Sequence, residues 1–226
     1  MTRRVLGMLG GMGPAATVDF LAKLQAATPA GSDADHIRVV MDLNPRVPDR
    51  HADPEGAGAE LGRMAARLRD LGAEVLAMPC NTAHQHRAEI EAASDLTLID
   101  MVAETARAAV ESGARTVGVL ATPGGERLYA AALETAGAAM VIPTDADRAR
   151  LMGLIKGVKA GDLGTEARAG MAALAGLLVQ RGAQTLIAGC TEVPLLLDRG
   201  NAPAPLWDST EVLARRCVAV CGAGAA

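Results

Sequence analysis

Two stretches of sequence decide the fold: GAEVLAMPC at residues 72–80 and GAQTLIAGC at residues 182–190. Each starts with Gly-Ala and runs through a short apolar segment to a cysteine eight residues later. Glycine commonly follows the last turn of a helix, and a short apolar run is typical of a strand buried on both faces of a parallel sheet. Both stretches therefore predict a helix end and then a buried strand, with Cys80 and Cys190 at the carboxyl ends of the two strands.

Two further pairs of landmarks recur at nearly the same spacing. The glycine-containing segment at residues 7–13 corresponds to the one at 118–124, and Asp100 corresponds to Asp208. All three pairs are about 110 residues apart and occur in the same order in both halves of the chain. A shared spacing and order indicate an internal repeat.

The segments between these landmarks alternate between helical and strand-like patterns. The helical stretches lie at residues 60–71, 101–112 and 167–181, and the strand-like runs at 5–9, 37–43, 96–99 and 116–121. Such alternation is typical of right-handed βαβ units built around a parallel sheet. We therefore expect an α/β fold with two similar, pseudo-symmetric domains, each a parallel sheet flanked by helices.

The repeat also predicts where the domains divide. The helix from Ser209 onward is the counterpart of the helix after Asp100, so we expect it to return the chain to the first domain. The first domain then comprises residues 1–98 and 208–226, and the second comprises residues 99–207. Ligands of open α/β sheets bind beyond the carboxyl ends of the strands, so we expect an active site in the cleft between the domains, with the two cysteines on opposite walls.

Composition and charge argue against a nucleic-acid partner. The 226 residues are 50% hydrophobic and 21% charged, which is typical of a folded globular protein. Aromatic residues make up only 1% of the chain, so platforms for stacking nucleic-acid bases are not expected. The formal net charge is -4 and no block of lysine or arginine occurs, so an anionic substrate must be met by a few local cations.

The hydropathy pattern predicts neither a membrane partner nor an exported protein. No apolar run approaches the length of a membrane span, and the one before Gly7 is shorter than the central region of a signal peptide. We therefore expect a cytoplasmic protein, in which thiols stay reduced. The four cysteines must then be explained by chemistry or by burial: Cys80, Cys190, Cys217 and Cys221.

Two opposed thiols suit one reaction in particular. Racemisation removes a proton from one face of a carbon atom and returns a proton to the other face, so it needs two groups that each serve as base and acid. A cysteine has an unperturbed pKa of about 8.5, which keeps both thiol and thiolate accessible. The polar residues after Cys80 and Cys190 also provide amides where a helix would start, and a helix start lowers thiol pKa and receives carboxylates. Cys217 and Cys221 lie one helical turn apart in an apolar run, which predicts core packing.

Three motifs resemble a known family. They are GGMGP at residues 10–14 with Ala-Thr at 16–17, PCNTAH at 79–84, and GCTEVPLL at 189–196. In this order they resemble the aspartate/glutamate racemase superfamily, and most closely its aspartate racemase branch. The resemblance implies interconversion of L- and D-aspartate or glutamate by two thiols, without pyridoxal phosphate, another cofactor or a metal. It also implies a small acidic amino acid as substrate and a possible homodimer.

The resemblance assigns further residues, position by position. Arg50, the last residue of the segment at 44–50, would bind the distal carboxylate, and Lys159 matches a substrate-binding lysine. Both assignments agree with the need to hold a desolvated dicarboxylate and to stabilise the charge that forms when the α-proton leaves. Other positions match residues that bind the α-carboxylate or amino group or line the pocket: Met12, Gly13, Asn81, Thr82, Thr122 and Thr191.

Two residues beside the cysteines have supporting roles in this interpretation. His84 would orient the turn after Cys80 or cover the start of a helix. Glu192 would either adjust the Cys190 thiol or cap the N-terminus of the following helix.

Other classes of function stay open at this point. The spacing of Gly11, Gly13 and Ala16 partly fits a dinucleotide fingerprint, but Pro14 lies inside it and no acidic strand end follows at the usual distance. A zinc site formed by Cys80 with the histidines at 84 and 86 matches no common ligand spacing. The remaining alternatives are an isomerase or lyase of a related small acid that uses one cysteine covalently, and a non-catalytic amino-acid-binding protein.

Overall fold

The structure is a computed structural model that describes residues 3–222. The chain folds into two compact units. Of the described residues, the first unit comprises 3–101 and 210–222, and the second comprises 102–209. Within the described part of the chain, no helix combines the length and apolar character needed to cross a membrane.

The first unit is a three-stranded parallel sheet flanked by helices. Its strands, in the order β2-β1-β3, are β1 (Leu6–Gly10), β2 (Val39–Leu43) and β3 (Val75–Ala77). Its helices are α1 (Pro14–Ala27), α2 (Pro54–Asp70) and α3 (Arg87–Ser94), and a 3₁₀ helix spans Thr82–His86.

Alternate residues of β1 and β3 point to opposite faces of this sheet and build two apolar clusters. Leu9 and Leu76 pack in a cluster with α2, whereas Leu6 and Val75 pack in a cluster with α1. The two helices start where the sequence favours it, because each has proline in its first turn. Asp53 also caps α2 by accepting a hydrogen bond from the Gly56 N–H at 3.0 Å.

The second unit repeats this plan with one more strand. The helices are α4 (Met101–Glu111), whose first residue belongs to the first unit, α5 (Pro123–Ala136), α6 (Asp145–Lys159) and α7 (Thr165–Gln180). The four parallel strands, in the order β5-β4-β6-β7, are β4 (Thr116–Leu120), β5 (Ala139–Val141), β6 (Thr185–Ala188) and β7 (Leu206–Asp208). The last helix, α8, spans Ser209–Cys221, and its apolar residues pack in the same cluster as Leu6 and Phe20. The predicted α/β fold with two parallel sheets flanked by helices is confirmed.

One predicted strand is wrong. Residues 96–99 form a single bridge, Leu76 with Leu98, and not a strand. Two backbone hydrogen bonds join this segment to β3, from the Leu76 N–H to Thr97 and from the Ile99 N–H to Leu76, each 2.9 Å long. Because α4 begins at Met101, the chain leaves the sheet edge before the pairing can extend.

Cys217 and Cys221 pack in the core, as predicted. Both are in the cluster formed by α8 with α1 and β1, and each is at most 1% exposed. Burial raises the pKa of both thiols, that of Cys221 to about 11. Both residues are therefore apolar packing groups at neutral pH.

Candidate functional site

Cys80 lies three residues after the last residue of β3, at the carboxyl edge of the first sheet. Its side chain packs in the α2 cluster and the residue is 6% exposed. The Cys80 N–H donates to the Met78 carbonyl at 2.8 Å, which closes a tight turn directly after the strand. Asn81 and Thr82, which follow it, are also buried.

The His84 side chain contacts the main chain of this turn. Its Nδ1 lies 2.9 Å from the Cys80 carbonyl oxygen, and its Nε2 lies 3.2 Å from the backbone nitrogen of Met101 at the start of α4. An amide N–H only donates, so Nε2 must accept from Met101 and Nδ1 must carry the proton that it donates to Cys80. His84 therefore lies between the turn after Cys80 and the first residue of α4 and contacts the main chain of both.

Burial lowers the pKa of His84, which keeps its imidazole neutral. The carbonyl oxygens of Cys80 and Ile99, the latter 3.4 Å from Nε2, and the charge of Asp100 favour the charged ring and so act in the opposite direction, and the charge of Arg87 adds to the lowering. Arg87 and Asp100 form an ion pair at 3.1 Å. The neutral ring is the state that both hydrogen bonds of His84 need.

This burial predicts a loss of stability in mild acid. The unfolded chain titrates His84 near its usual pKa of about 6.5, whereas the folded protein binds that proton only at lower pH. The stabilising contribution is thus complete above about pH 6.5 and decreases as the pH falls toward the folded pKa, by up to about 1.4 kcal/mol per pH unit. Urea unfolding at pH 7.0 and 5.5 measures this loss, and His84→Gln is expected to have a shallower dependence. An equal pH dependence of the free energy of unfolding in the wild type and His84→Gln would show that His84 is not the group responsible.

Arg50 lies in a turn that a hydrogen bond connects to the segment after Cys80. The Asp49 carboxylate accepts hydrogen bonds from the amides of residues 51 and 52, at 2.8 and 3.0 Å, and these bonds lower the pKa of Asp49. The Arg50 guanidinium donates to the Pro48 carbonyl at 3.2 Å. The Gln85 side chain donates to the Arg50 carbonyl at 2.9 Å. The 3₁₀ helix after Cys80 therefore contacts the Arg50 turn directly.

The Met12–Gly13 segment lies beside the end of β2. Thr17 shapes it, because its hydroxyl accepts from the Gly11 N–H at 2.9 Å and donates to the Gly13 carbonyl at 3.0 Å. Gly11 has φ of +97°, and a Cβ at this position would come within 2.4 Å of the Asn44 backbone. Glycine is required there because the loops after β1 and β2 touch through their main chains. Met12 is buried, 5% exposed.

Cys190 has the equivalent place in the second unit, two residues after β6. The residue is 7% exposed, and the Val193 N–H donates to its carbonyl at 2.9 Å. The Cys190 thiol donates to the Glu192 carboxylate, with Sγ 3.0 Å from Oε2. Burial raises the pKa of the Cys190 thiol well above its usual value, and the negative charge of Glu192 raises it further. Cys190 is therefore a protonated thiol in the resting protein.

Glu192 connects three candidate residues of the second unit. Besides accepting from Cys190, its carboxylate lies 3.8 Å from Nζ of Lys159 and 3.4 Å from the hydroxyl of Thr191. The Glu192 side chain thus contacts the thiol, and it makes no capping hydrogen bond to the following 3₁₀ helix.

Thr122 sits at the start of α5, at the carboxyl edge of the second sheet. Its hydroxyl accepts from the Gly125 N–H at 3.2 Å and so caps the helix. The residue is 7% exposed. Its capping bond gives it a structural role, and its contact with substrate stays a prediction.

Two features of the site were not predicted from the sequence. One is the contact from Gln85 to Arg50, which are 35 residues apart. The other is an ion pair beside Thr122, where Arg148 of α6 meets Glu126 of α5, with Nε 3.1 Å from each carboxylate oxygen. No sequence motif predicts either the hydrogen bond or the ion pair, because each depends on how loops and helices pack.

In the second unit, the structure brings Cys190, Thr191, Glu192 and Lys159 together. In the first unit, it brings Cys80, His84 and the Arg50 turn together through the 3₁₀ helix. In the described range 3–222, no group of three or more His, Cys, Asp or Glu side chains is arranged to hold a metal ion. The two sets share one feature: a cysteine just beyond the carboxyl end of a parallel strand.

Comparison with known proteins places the chain in a family. Residues 9–217 match the family described as Asp/Glu/hydantoin racemase. The broad specificity amino-acid racemase RacX of Bacillus subtilis is 27% identical over 221 residues, which are 95% of this chain and 96% of that protein. Both cysteine segments lie within the matched residues.

Solved structures are similar over nearly the whole chain. The aspartate racemase of Picrophilus torridus has 29% identity and a TM-score of 0.87, over 97% of this chain and 94% of that one. An aspartate racemase homologue from Pyrococcus horikoshii has the same fold, with 21% identity and a TM-score of 0.80 over 97% and 99% of the two chains. The named relatives are racemases, and racemases are isomerases. The chain therefore belongs to the Asp/Glu/hydantoin racemase family.

Proposed function

We propose that this protein is a racemase that interconverts the L- and D-forms of aspartate or glutamate, with Cys80 and Cys190 as its two proton-transfer groups. One observation carries the proposal: in each parallel sheet, one strand is followed by a cysteine in a tight turn, and the thiol of the second cysteine donates a hydrogen bond to a carboxylate 3.0 Å away. Family membership supports the class of reaction. The choice of a dicarboxylic substrate rests on Arg50 and Lys159.

The proposal takes Cys80 as the base and Cys190, whose pKa is raised, as the acid of the first turnover. The Cys80 thiolate removes the α-proton from one face of the substrate, and the Cys190 thiol donates its proton to the opposite face. The products are the opposite enantiomer, a Cys80 thiol and a Cys190 thiolate, so the enzyme is then ready for the reverse reaction. Two thiols supply both transfers, and the proposal invokes neither pyridoxal phosphate nor a metal.

Glu192 would adjust the second thiol. Its carboxylate accepts a hydrogen bond from the Cys190 thiol and raises the pKa of that thiol, which makes Cys190 the acid for the first turnover. Lys159, 3.8 Å from the same carboxylate, offsets part of its charge. When a substrate carboxylate enters, Lys159 can bind it while Glu192 retains its contact with the thiol.

Substrate binding would use the remaining predicted residues. Arg50 holds the distal carboxylate, since its guanidinium has five N–H donors and one described hydrogen bond uses a single nitrogen. The growing negative charge at the α-carbon and its carboxylate is stabilised by fixed donors and cations near the strand ends. We assign this role to Asn81, Thr82, Thr122, Thr191 and Lys159, and contact with the substrate backbone to Met12 and Gly13. A homodimer and a cytoplasmic location stay predictions.

Incubation with L-aspartate in deuterium oxide, without added cofactor, tests the proposal. Chiral chromatography with mass spectrometry is expected to show D-aspartate, with deuterium at the α-carbon of both enantiomers. Conversion to a product other than the enantiomer would favour a single-cysteine isomerase or lyase. Binding without turnover or exchange would favour an amino-acid-binding protein. L-Glutamate, assayed in parallel, determines which dicarboxylate is preferred.

Replacement of Glu192 by glutamine is expected to raise the reactivity of the Cys190 thiol and to lower the rate of racemisation. The amide has no charge to raise the pKa of Cys190, so alkylation of Cys190 at pH 8 is expected to become faster. Racemisation is expected to fall by about 10- to 100-fold, because Cys190 is no longer held protonated as the acid of the first turnover. Peptide mass spectrometry after timed iodoacetamide treatment measures the first effect. Slower alkylation of Cys190 in the variant would refute this role of Glu192.

A further inference from the structure

The 3₁₀ helix Thr82–His86 carries two adjacent side chains that hold different parts of the first unit. His84 Nδ1 lies 2.9 Å from the Cys80 carbonyl, and Gln85 Nε2 lies 2.9 Å from the Arg50 carbonyl. The first contact acts on the residue proposed to move the proton. The second acts on the turn proposed to bind the distal carboxylate.

Both main-chain polar groups of Cys80 are held. Its N–H donates to the Met78 carbonyl at 2.8 Å, and its carbonyl accepts from His84. With the backbone fixed on both sides, the position of the sulfur depends on a single side-chain torsion. A proton transfer needs its base within a few tenths of an ångström of a productive position, and a misplacement of about 1 Å can cost about 100-fold in rate.

Only one protonation state of His84 makes both contacts. Because the Met101 N–H donates to Nε2 at 3.2 Å, the ring must carry its proton on Nδ1. The ring is 6% exposed and lies between the cysteine turn and the first residue of α4. A side chain without both a donor and an acceptor at these two positions cannot replace it.

The second unit holds its cysteine differently. There the Val193 N–H donates to the Cys190 carbonyl at 2.9 Å, so a backbone amide three residues later closes the turn. In the first unit the imidazole of His84, four residues later, donates to the corresponding carbonyl. The repeat has therefore kept a donor to the cysteine carbonyl while the chemical group that provides it differs.

We propose that His84 is a positioning residue for Cys80: its neutral, Nδ1-protonated ring fixes the Cys80 main chain, and through it the sulfur, against the start of α4. This inference rests on the proposed function, because it takes Cys80 as a proton-transfer group. His84 acts through the main chain and touches no reacting atom. Its loss therefore affects kcat, whereas loss of the Gln85 contact affects binding through Arg50.

The test compares two replacements that each keep half of the ring's contacts. The amide of His84→Asn can take the place of Nδ1 and donate to Cys80, whereas the longer amide of His84→Gln can reach the place of Nε2 and accept from Met101. We expect kcat for racemisation of L-aspartate to fall about 100-fold in His84→Gln and about 10-fold in His84→Asn. KM is expected to stay within about twofold in both variants, and to rise about tenfold in Gln85→Ala with little change in kcat.

Alkylation gives a second measurement that does not depend on turnover. A loosened turn exposes the buried sulfur, so Cys80 is expected to react with iodoacetamide about fivefold faster in His84→Gln than in His84→Asn. The rate for Cys190 is expected to be unchanged. Ser94→Ala is the matched control, since it removes another buried hydrogen bond of the first unit, from the Ser94 hydroxyl to Ile90 at 2.8 Å. This control is expected to destabilise the protein without changing kcat or the Cys80 rate.

The outcomes separate this inference from the proposed function. If the wild-type protein does not racemise aspartate or glutamate, the proposed function fails, and the Cys80 alkylation rates alone decide the role of His84. If the wild type is active but His84→Asn has neither a higher kcat nor slower alkylation of Cys80 than His84→Gln, His84 does not position Cys80. The same conclusion follows if Ser94→Ala reproduces the effects of the His84 variants.

Discussion

Replacement of either Cys80 or Cys190 by serine is expected to lower racemisation of aspartate by about 1,000- to 10,000-fold. A serine hydroxyl is nearly isosteric with the thiol but far less acidic, so it neither holds a negative charge at neutral pH nor gives up its proton readily. Each variant therefore loses proton transfer on one face of the substrate. The fold is expected to persist, because each change removes little volume.

The two serine variants are expected to differ in hydrogen exchange. With one thiol left, the enzyme can remove a proton and return a solvent proton to the same face, which exchanges the hydrogen of one enantiomer without inverting it. Cys80→Ser and Cys190→Ser are therefore expected to exchange opposite enantiomers of aspartate in deuterium oxide. Proton NMR of L- and D-aspartate, each incubated with each variant, measures this selectivity.

Cys217→Ser is the control for these variants. Cys217 is fully buried in the cluster of α8 and is not at a strand end, so its replacement is expected to leave kcat within about twofold. Normal racemisation by either Cys80→Ser or Cys190→Ser would refute the two-thiol mechanism. Exchange of the same enantiomer by both variants would show that the two thiols do not act on opposite faces.

The sequence predicted the positions of the two cysteines because the information is local. A glycine, an apolar run and a cysteine recur in both halves, and the run length alone puts Cys80 and Cys190 beyond the ends of β3 and β6. The failure at residues 96–99 is also local in origin. The composition of that run favours a strand, but the start of α4 at Met101 limits its pairing to one bridge.

Hydrogen bonds between distant segments could not be predicted from the sequence. His84 was a candidate because it follows Cys80 by four residues, yet its second contact, to the Met101 N–H, depends on where α4 begins. Gln85 had no distinguishing pattern at all, since its partner Arg50 lies in another loop. Sequence periodicity reports which residues are buried, whereas hydrogen bonds between loops depend on distances that only the packed structure fixes.

The ion pair between Glu126 and Arg148 gives the largest expected effect on stability. The Glu126 side chain is 9% exposed and that of Arg148 is 22% exposed, and Arg148 Nη2 lies 3.0 Å from one carboxylate oxygen. Arg148→Met would leave a nearly buried carboxylate without its cation, and we expect a loss of about 3 kcal/mol in the free energy of unfolding. Urea unfolding followed by circular dichroism measures this loss.

Two further variants test whether the unpaired buried charge causes the loss of stability in Arg148→Met. Glu126→Leu combined with Arg148→Met removes both charges, and it is expected to recover most of the stability because no unpaired charge stays buried. Arg150→Met removes a second arginine of α6 whose pair with Asp147 is on the surface, with the Arg150 side chain 56% exposed. That control is expected to cost less than about 1 kcal/mol. An equal loss in Arg148→Met and Arg150→Met would contradict the importance of burial.

Arg148→Met also tests whether the Glu126–Arg148 ion pair affects substrate binding. Arg148 lies near the start of α6 and Lys159 is its last residue, so one helix carries both the ion pair to Glu126 and the cation beside Glu192. If Arg148 fixes the start of α6, its loss should also displace Lys159, and KM for aspartate should rise about threefold or more in Arg148→Met. KM should return toward the wild-type value in the double variant if apolar packing restores the helix. A KM that stays normal in Arg148→Met would mean that Lys159 is held by its own end of α6 alone.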